Sequence, residues 1–453
     1  MPVERLFVVI ALVFGPLFII LTPPFQNPDE YGHFYRIYQL SEGTLFADLW
    51  AKTKAGGELP AALEDAAQPF LYLPYHQENK TSSSAIVNVM RTISIDRDQR
   101  RFMHFPNAAI NSPLVYGPQV VGMWLVKPWT SKALIYLYAG RLANLLVWTL
   151  SLYWIIRWSP RLRWFLCLIG LTPMSLALAG SLGADAMTMV YVSLWVVLIM
   201  RCLEGDSARM TLACAAMLLG AGLALALAKF AFIPLIGLLV LLWRRDGYSG
   251  QGFLYGLVIG LMCGAVWLWW AYSVMPLLVL NNDSLVMDID AQIAALQAHP
   301  FAFVGQVLDT LQHFGKIYWD QFYGRLGWLD TPLPRAQKWF YLGVLIVTLF
   351  EGDGKESVMA PVERAVLALA VALAVLAIYA ALFIQWNLPG NSYIMGVQGR
   401  YFIPLALPLA WALRPRPGWL LPMPRAAALL VGLGLTAIHG RVVGSLIERY
   451  YGW

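Results

Sequence analysis

Ionisable residues are sparse in this chain, and three short clusters of them have types and spacings that could do chemistry. The first is Phe25-Gln26-Asn27-Pro28-Asp29-Glu30-Tyr31-Gly32-His33-Phe34-Tyr35-Arg36. Asp29 and His33 stand four apart and His33 and Arg36 three apart, so on a helix all three share one face. A carboxylate, an imidazole and a guanidinium on one face could move a proton and hold an anion. The same run also reads as a helix start, with Asn27 as N-cap, Pro28 at the first helical position and Glu30 completing a capping-box-like pair. Capping accounts for Asn27, Pro28 and Glu30 but not for His33 and Arg36 beside Asp29. The second cluster is Ser181-Leu182-Gly183-Ala184-Asp185, an isolated carboxylate that is either a helix N-cap after Gly183 or a second acidic site. The third is Gln398-Gly399-Arg400-Tyr401-Phe402-Ile403-Pro404. Its arginine either snorkels to an interface or grips an anion. Lys229 sits between two apolar runs, and Arg141, with Asn144, lies inside one, where an internal partner is expected.

The elements that must position these residues are membrane helices. Of 453 residues 59% are hydrophobic and 13% charged, against roughly 45–50% and ~25% for soluble domains. That balance excludes a disordered chain, a disulfide scaffold and a soluble multi-domain enzyme. The net charge of +6 reads as cytoplasmic-loop Lys and Arg and not as a nucleic-acid footprint. Cys167, Cys202, Cys214 and Cys263 lie in apolar stretches without CxxC spacing, so neither a disulfide nor zinc is expected. A spanning helix needs about 20 apolar residues. The expected spans are Leu6–Thr22, Ala133–Ile156, Trp164–Leu182, Asp185–Met200, Met210–Ala228, Phe230–Trp243, Phe253–Leu280, Trp339–Phe350, Val362–Trp386, Tyr401–Leu413 and Ala426–His439. Ser112–Val126 is apolar but short and carries Pro113 and Pro118. Laid on the outer face, it leaves Arg157/Arg161/Arg163, Arg201/Arg209, Arg244/Arg245, Lys355/Arg364 and Arg414/Arg416/Arg425 in inner turns, as the positive-inside rule requires.

The expected fold class is therefore an all-α polytopic membrane protein of about eleven transmembrane helices, N-terminus inside and C-terminus outside. Two large external loops, 23–132 and 281–338, carry surface helices. Residues 1–280 form one transmembrane module including the first loop, and 339–453 supply the C-terminal helices. No internal repeat is visible, which counts against a transporter of inverted repeats. No P-loop, GxSxG, HExxH or Rossmann pattern occurs.

Pro28-Asp29-Glu30 with His33 and Tyr35-Arg36, Asn111-Ser112-Pro113-Leu114-Val115-Tyr116, Gly140-Arg141-Leu142-Ala143-Asn144, Asp185 and the Gln398–Pro404 run resemble a bacterial family of predicted membrane proteins of unknown function, over nearly the whole chain. The layout in turn is similar to the GT-C superfamily of polyprenol-dependent glycosyltransferases. There the first external loop opens with an acidic residue, carries surface helices, and a second acidic site follows the third span. Asp29/Glu30, 113–126 and Asp185 match that layout. The first loop lacks a DxD pair, so no metal ligand is assigned, and a divalent metal (Mg or Mn) stays an optional cofactor.

The resemblance implies transfer of a sugar from a polyprenyl-phosphate donor to a glycan or lipid-linked acceptor, with inversion, at the external (periplasmic) face of the bacterial cytoplasmic membrane. The partners are that donor, the acceptor and membrane lipid, with no nucleic acid. A sugar phosphate already carries its leaving group, so the site needs a carboxylate base and a cation for the departing phosphate. The candidate catalytic residues are Asp29, Glu30 and Asp185. The candidate substrate-binding residues are His33, Arg36, Lys229, Gln398, Arg400 and Tyr401. The competing readings are a flippase or transporter of lipid-linked glycan, a glycan polymerase or ligase, and a non-catalytic assembly partner.

Overall fold

Apolar runs of this chain form helices, and proline divides or tightens three of the expected spans. In the computed structural model, which describes all residues except 205–210, 244–249, 279–288, 353–357, 389 and 453, six helices are long and apolar enough to cross a membrane. They are Val3–Leu21, Ala133–Trp158, Asp185–Glu204, Gly252–Leu277, Pro361–Trp386 and Arg425–Tyr451. The first tolerates Pro16 within it. The remaining five expected spans are shorter or broken. Trp164–Leu182 is divided into Arg163–Gly170 and Pro173–Ala179, because Pro173 cannot continue a helix and Thr172 caps the new one through Ser175 N at 3.1 Å. Phe230–Trp243 is a 3₁₀ helix over Phe230–Leu239, with Pro234 inside, followed by Val240–Trp243. Tyr401–Leu413 is a 3₁₀ helix over Gly399–Leu405, with Pro404 inside, followed by Ala406–Leu413. Leu212–Ala226 and Arg335–Thr348 are plain helices of 15 and 14 residues. Arg209, Arg244, Arg245 and Lys355, assigned to inner turns, and the span limits Met210 and Leu280 lie outside the described residues.

Polar contacts sort the helix ends into two groups. At one end Arg163 pairs with Glu4 at 2.7 Å, Arg161 with Glu204, and Arg414 Nη2 donates to Glu351 O at 2.6 Å. At the other lie Asp29, Asp185, Lys229, Arg400 and both large loops. The segment 113–126 belongs to this second end. Its helix Gly117–Val126 has ten residues, about 15 Å of length. It runs beside helix Glu30–Ser41: Tyr116 meets His33 at 2.7 Å, and Trp124 Nε1 and Lys127 Nζ both donate to Ser41 O at 2.9 Å. Val121, Trp124 and Leu125 stay exposed, as an interfacial helix requires. A membrane-impermeant maleimide added to intact cells is therefore expected to label a cysteine at exposed Lys52 and to miss one at exposed Arg157 until the membrane is permeabilised. External labelling of Arg157→Cys would reverse this arrangement.

The chain is mostly helical but not all-α, which corrects the expectation for the loops. Asp48–Trp50, Lys54–Pro60 and Arg100–His104 form a three-stranded antiparallel sheet in the first loop. The second loop carries the helices Ile289–Ala298 and Pro300–Gly324 and a two-stranded ribbon, Arg325–Leu326 with Thr331–Pro332. Asp330 latches the two loops to the last helix. Its Oδ2 accepts from Arg449 Nη2 at 2.7 Å and from Tyr75 N at 3.1 Å, and Gln77 Nε2 donates to its carbonyl at 2.6 Å.

Candidate functional site

Asp29 occupies the N-cap position of helix Glu30–Ser41 but caps nothing. Its φ is +60°, in the left-handed region, and its side chain makes no capping hydrogen bond. This corrects the helix start read from sequence: the helix begins at Glu30, and the Asn27 side chain contributes a 3.3 Å contact from Nδ2 to Glu30 Oε1 in place of a cap. A non-glycine residue in this conformation costs on the order of 1 kcal/mol or more and tends to mark functional sites. The freed carboxylate faces Arg400, with Nη2 to Oδ2 at 3.7 Å.

Arg400 lies between two acids, its Nη1 3.5 Å from Asp185 Oδ2. Lys229 pairs with the other oxygen of Asp185. The Tyr401 ring lies near both cations, 5.3 Å from Lys229 Nζ and 5.4 Å from Arg400 Cζ. Each group is delivered by a helix end: Asp185 opens a helix, Lys229 precedes the 3₁₀ helix 230–239, and Arg400 lies in the 3₁₀ helix 399–405. Glycine at 399 is obligatory for this placement, because a Cβ there would stand 1.9 Å from Tyr318 O; Gly399 N donates to Gln321 Oε1 at 2.7 Å. Arg400 is only 6% exposed, and its Nε has no partner among the described residues. Burial raises the Asp29 pKa above its ordinary value, Arg400 pulls it back down, and Asp185 adds to the rise.

These groups line one cavity of about 400 Å³. Asp29, His33, Asp185, Lys229, Gln398, Arg400 and Tyr401 all contribute to its wall. Its apolar wall includes Met189, Phe230, Ile378, Leu382, Trp386 and Ile403. Gln398 Oε1 is buried without a partner among the described residues. Residues not singled out from sequence also line it, namely Tyr75, Asn107, Trp270 and Trp328. Trp328 stacks on Tyr31 at 6.0 Å and donates to Phe25 O at 3.0 Å. Nothing in the local sequence around Trp328 signals that contact; Asn111 and Tyr116 at least belong to a run already noted.

Glu30 and Arg36 are not in this wall. Glu30 is fully buried against Arg141, which donates Nε to Oε1 at 2.8 Å and Nη2 to Oε2 at 2.5 Å. Arg141 also donates to the carbonyls of Ile19 (3.1 Å), Thr22 (2.8 Å) and Pro23 (3.0 Å). Glu30 Oε1 accepts from Leu182 N at 3.2 Å, and Asn144 Nδ2 holds the carbonyls of Ala179 and Ser181 at 3.1 and 2.9 Å. The pair thus ties the strand of chain carrying Asp29 to the turn that precedes Asp185. Arg36 is spent on Gln39 Oε1 and Leu45 O, both at 2.5 Å.

A divalent metal does not suit this donor set. Two carboxylates already face two cations, and among the described residues no three His, Cys, Asp or Glu side chains are grouped as metal ligands.

The sequence pattern of the family described as Predicted membrane protein (DUF2142) matches residues 12–409. The chain belongs to that family. Its several apolar helices agree with the description, and the chain is a membrane protein. No curated protein and no solved structure matches it.

Proposed function

We propose that the chain is a GT-C-like glycosyltransferase that moves a sugar from a polyprenyl-phosphate donor to a glycan or lipid-linked acceptor. On this reading the polypeptide crosses the bacterial cytoplasmic membrane eleven times, and the cavity opens at the external face. The observation that carries the proposal is a single cavity lined both by Asp29, Asp185, Lys229 and Arg400 and by apolar side chains such as Met189, Ile378 and Leu382. An amphiphile with an anionic headgroup fits such a surface, and the carboxylate beside the cations is the group an acceptor hydroxyl needs.

Asp29 takes the proton of the acceptor hydroxyl as its oxygen bonds to the anomeric carbon. The bond from that carbon to the phosphate oxygen breaks on the opposite side, so the configuration inverts. The departing polyprenyl phosphate keeps the electron pair, and Arg400 and Lys229 hold its growing charge. Burial favours Asp29 for proton transfer because a raised pKa makes a stronger base. Asp185 serves as the counter-ion that fixes both cations. The test is release of free polyprenyl phosphate by the purified chain from a panel of labelled polyprenyl-phosphate sugars, with an acceptor extract present. Movement of the lipid-linked sugar across a vesicle without release of polyprenyl phosphate would establish the transporter reading instead.

Arg400 separates a phosphate grip from a snorkelling side chain. A guanidinium gives two parallel hydrogen bonds to phosphate, which an ammonium cannot reproduce. Arg400→Lys is therefore expected to lower kcat as well as weaken donor binding, roughly ten-fold or more overall for the loss of a charge-assisted bond of ~1.5–3 kcal/mol. A fully active Arg400→Lys enzyme would end the phosphate-grip assignment.

A further inference from the structure

His33 lines the cavity beside the charged cluster, and the hydrogen bonds behind it point to one polarity. Asn111 Nδ2 lies 3.1 Å from Asn107 O, a carbonyl that can only accept, which identifies that atom as the amide nitrogen. The same Nδ2 lies 3.0 Å from Tyr116 Oη, so the phenol oxygen accepts from Asn111. Tyr116 then has one proton to give, and its Oη lies 2.7 Å from His33 Nδ1. Among the described residues this buried phenol has no other acceptor within reach, so the arrangement that leaves no proton unsatisfied makes Nδ1 the acceptor. A neutral imidazole that accepts at Nδ1 carries its proton on Nε2.

The surroundings keep the ring in that state. Burial pushes the His33 pKa down to about 3, Lys229 and Arg400 push the same way, and only Asp185 opposes them. Burial also raises the Tyr116 phenol, so it keeps the proton it donates. Tyr116 is wholly buried. With Nδ1 occupied, His33 has Nε2 left for whatever fills the cavity.

We propose that Asn111 and Tyr116 are positioning residues that lock His33 as the neutral Nε2–H tautomer, and that His33 donates this hydrogen bond to a phosphate oxygen of the ligand held by Lys229 and Arg400. The ligand class follows the proposed function. Before the ligand arrives Lys229 and Arg400 already balance Asp29 and Asp185, so a neutral His33 adds no unpaired charge to the site. A directional donor adds orientation where charge alone fixes only location.

The experiment uses the purified full chain in nanodiscs with ¹⁵N-labelled histidine. The chain has six histidines, and His33→Gln identifies the His33 signals by difference. The expected result at neutral pH is a protonated Nε2 and an accepting Nδ1, with the Nε2–H signal shifting when a short-chain isoprenyl phosphate is added. Tyr116→Phe is expected to give mixed tautomers and to weaken isoprenyl phosphate binding by about two-fold, the cost of a half-populated competent form. His33→Ala should weaken it by about ten-fold, the size of one lost charge-assisted hydrogen bond. His33→Gln, whose amide nitrogen reaches the Nε2 position, is expected to bind the probe better than His33→Asn, which reaches only Nδ1. An Nδ1–H tautomer, an imidazolium, or an Nε2–H signal that ignores bound isoprenyl phosphate would overturn the proposal. The tautomer and the probe response are read without turnover. A chain that binds isoprenyl phosphate through His33 yet transfers no sugar would therefore sink the proposed function and leave this inference standing.

Discussion

Asp29→Asn is expected to slow sugar transfer by about 10²–10⁴-fold, the usual loss when a general base is removed, while the chain still folds and inserts. The side chain caps no helix, so its hydrogen bonding to the backbone is not at stake. Asparagine is among the residues that best tolerate the left-handed conformation found at φ +60°, and it is nearly isosteric with aspartate. What is lost is the ability to accept a proton, together with the negative charge that faces Arg400. The pH profile gives a second readout. Asp29 must be ionised to act, so kcat/KM is expected to rise with pH through a pKa above the ordinary 3.8 and then level off. The sign follows from burial, which disfavours the charged form and outweighs the pull of Arg400. Asp29→Asn should lose this limb along with the rate. Near-normal turnover in the variant would move the base to Asp185, which lines the cavity, whereas Glu30 is fully buried against Arg141 outside it.

Arg141→Met is expected to destabilise the protein by about 3–5 kcal/mol, the effect of leaving a buried charge without its partner. Glu30 is fully buried and would keep only its contacts with Leu182 N and Asn27. The carbonyls of Ile19, Thr22 and Pro23 would lose the same donor together. Glu30→Gln is expected to be milder, because an amide oxygen still accepts from Leu182 N and the Arg141 cation left behind keeps the carbonyls of Ile19, Thr22 and Pro23. Thermal melting of the detergent-solubilised chain, followed by gel filtration, orders the variants. Arg141→Met should melt well below the parent, with Glu30→Gln between them. An unchanged melting temperature for Arg141→Met would remove the pair from its positioning role. The consequence for the site is geometric: Asp29 is the neighbour of Glu30, and Asp185 lies three residues beyond Leu182.

The loops show where local pattern stops being informative. Lys54–Pro60 contains Gly56 and Gly57 and pairs with Arg100–His104 some forty residues on, so no alternation within the segment announces a strand. The capping motif at Asn27–Glu30 misled for a related reason. Its residue types do favour a helix start, but Glu30 is drawn to Arg141, 111 positions away, and the helix begins later with Asp29 turned outward. Arg36 likewise satisfies the spacing for a shared face with Asp29 and His33. The carbonyl of Leu45, presented by the loop, takes it elsewhere.

By itself the sequence determined what each segment could be. Apolar content and length set the helices, proline set where they tighten or break, and the scarcity of charge made Asp29, Asp185, Lys229 and Arg400 conspicuous. Those properties are local, because hydrophobic burial and backbone restriction act residue by residue. The tertiary structure alone decided which of the conspicuous groups meet. Arg400 reaches Asp29 and Asp185 across 371 and 215 positions only because Gly399 lets its segment close on Tyr318. Tyr116 reaches His33 because a short helix, Gly117–Val126, lies beside helix Glu30–Ser41. Such meetings depend on how whole helices and loops pack, and no spacing within one segment encodes them.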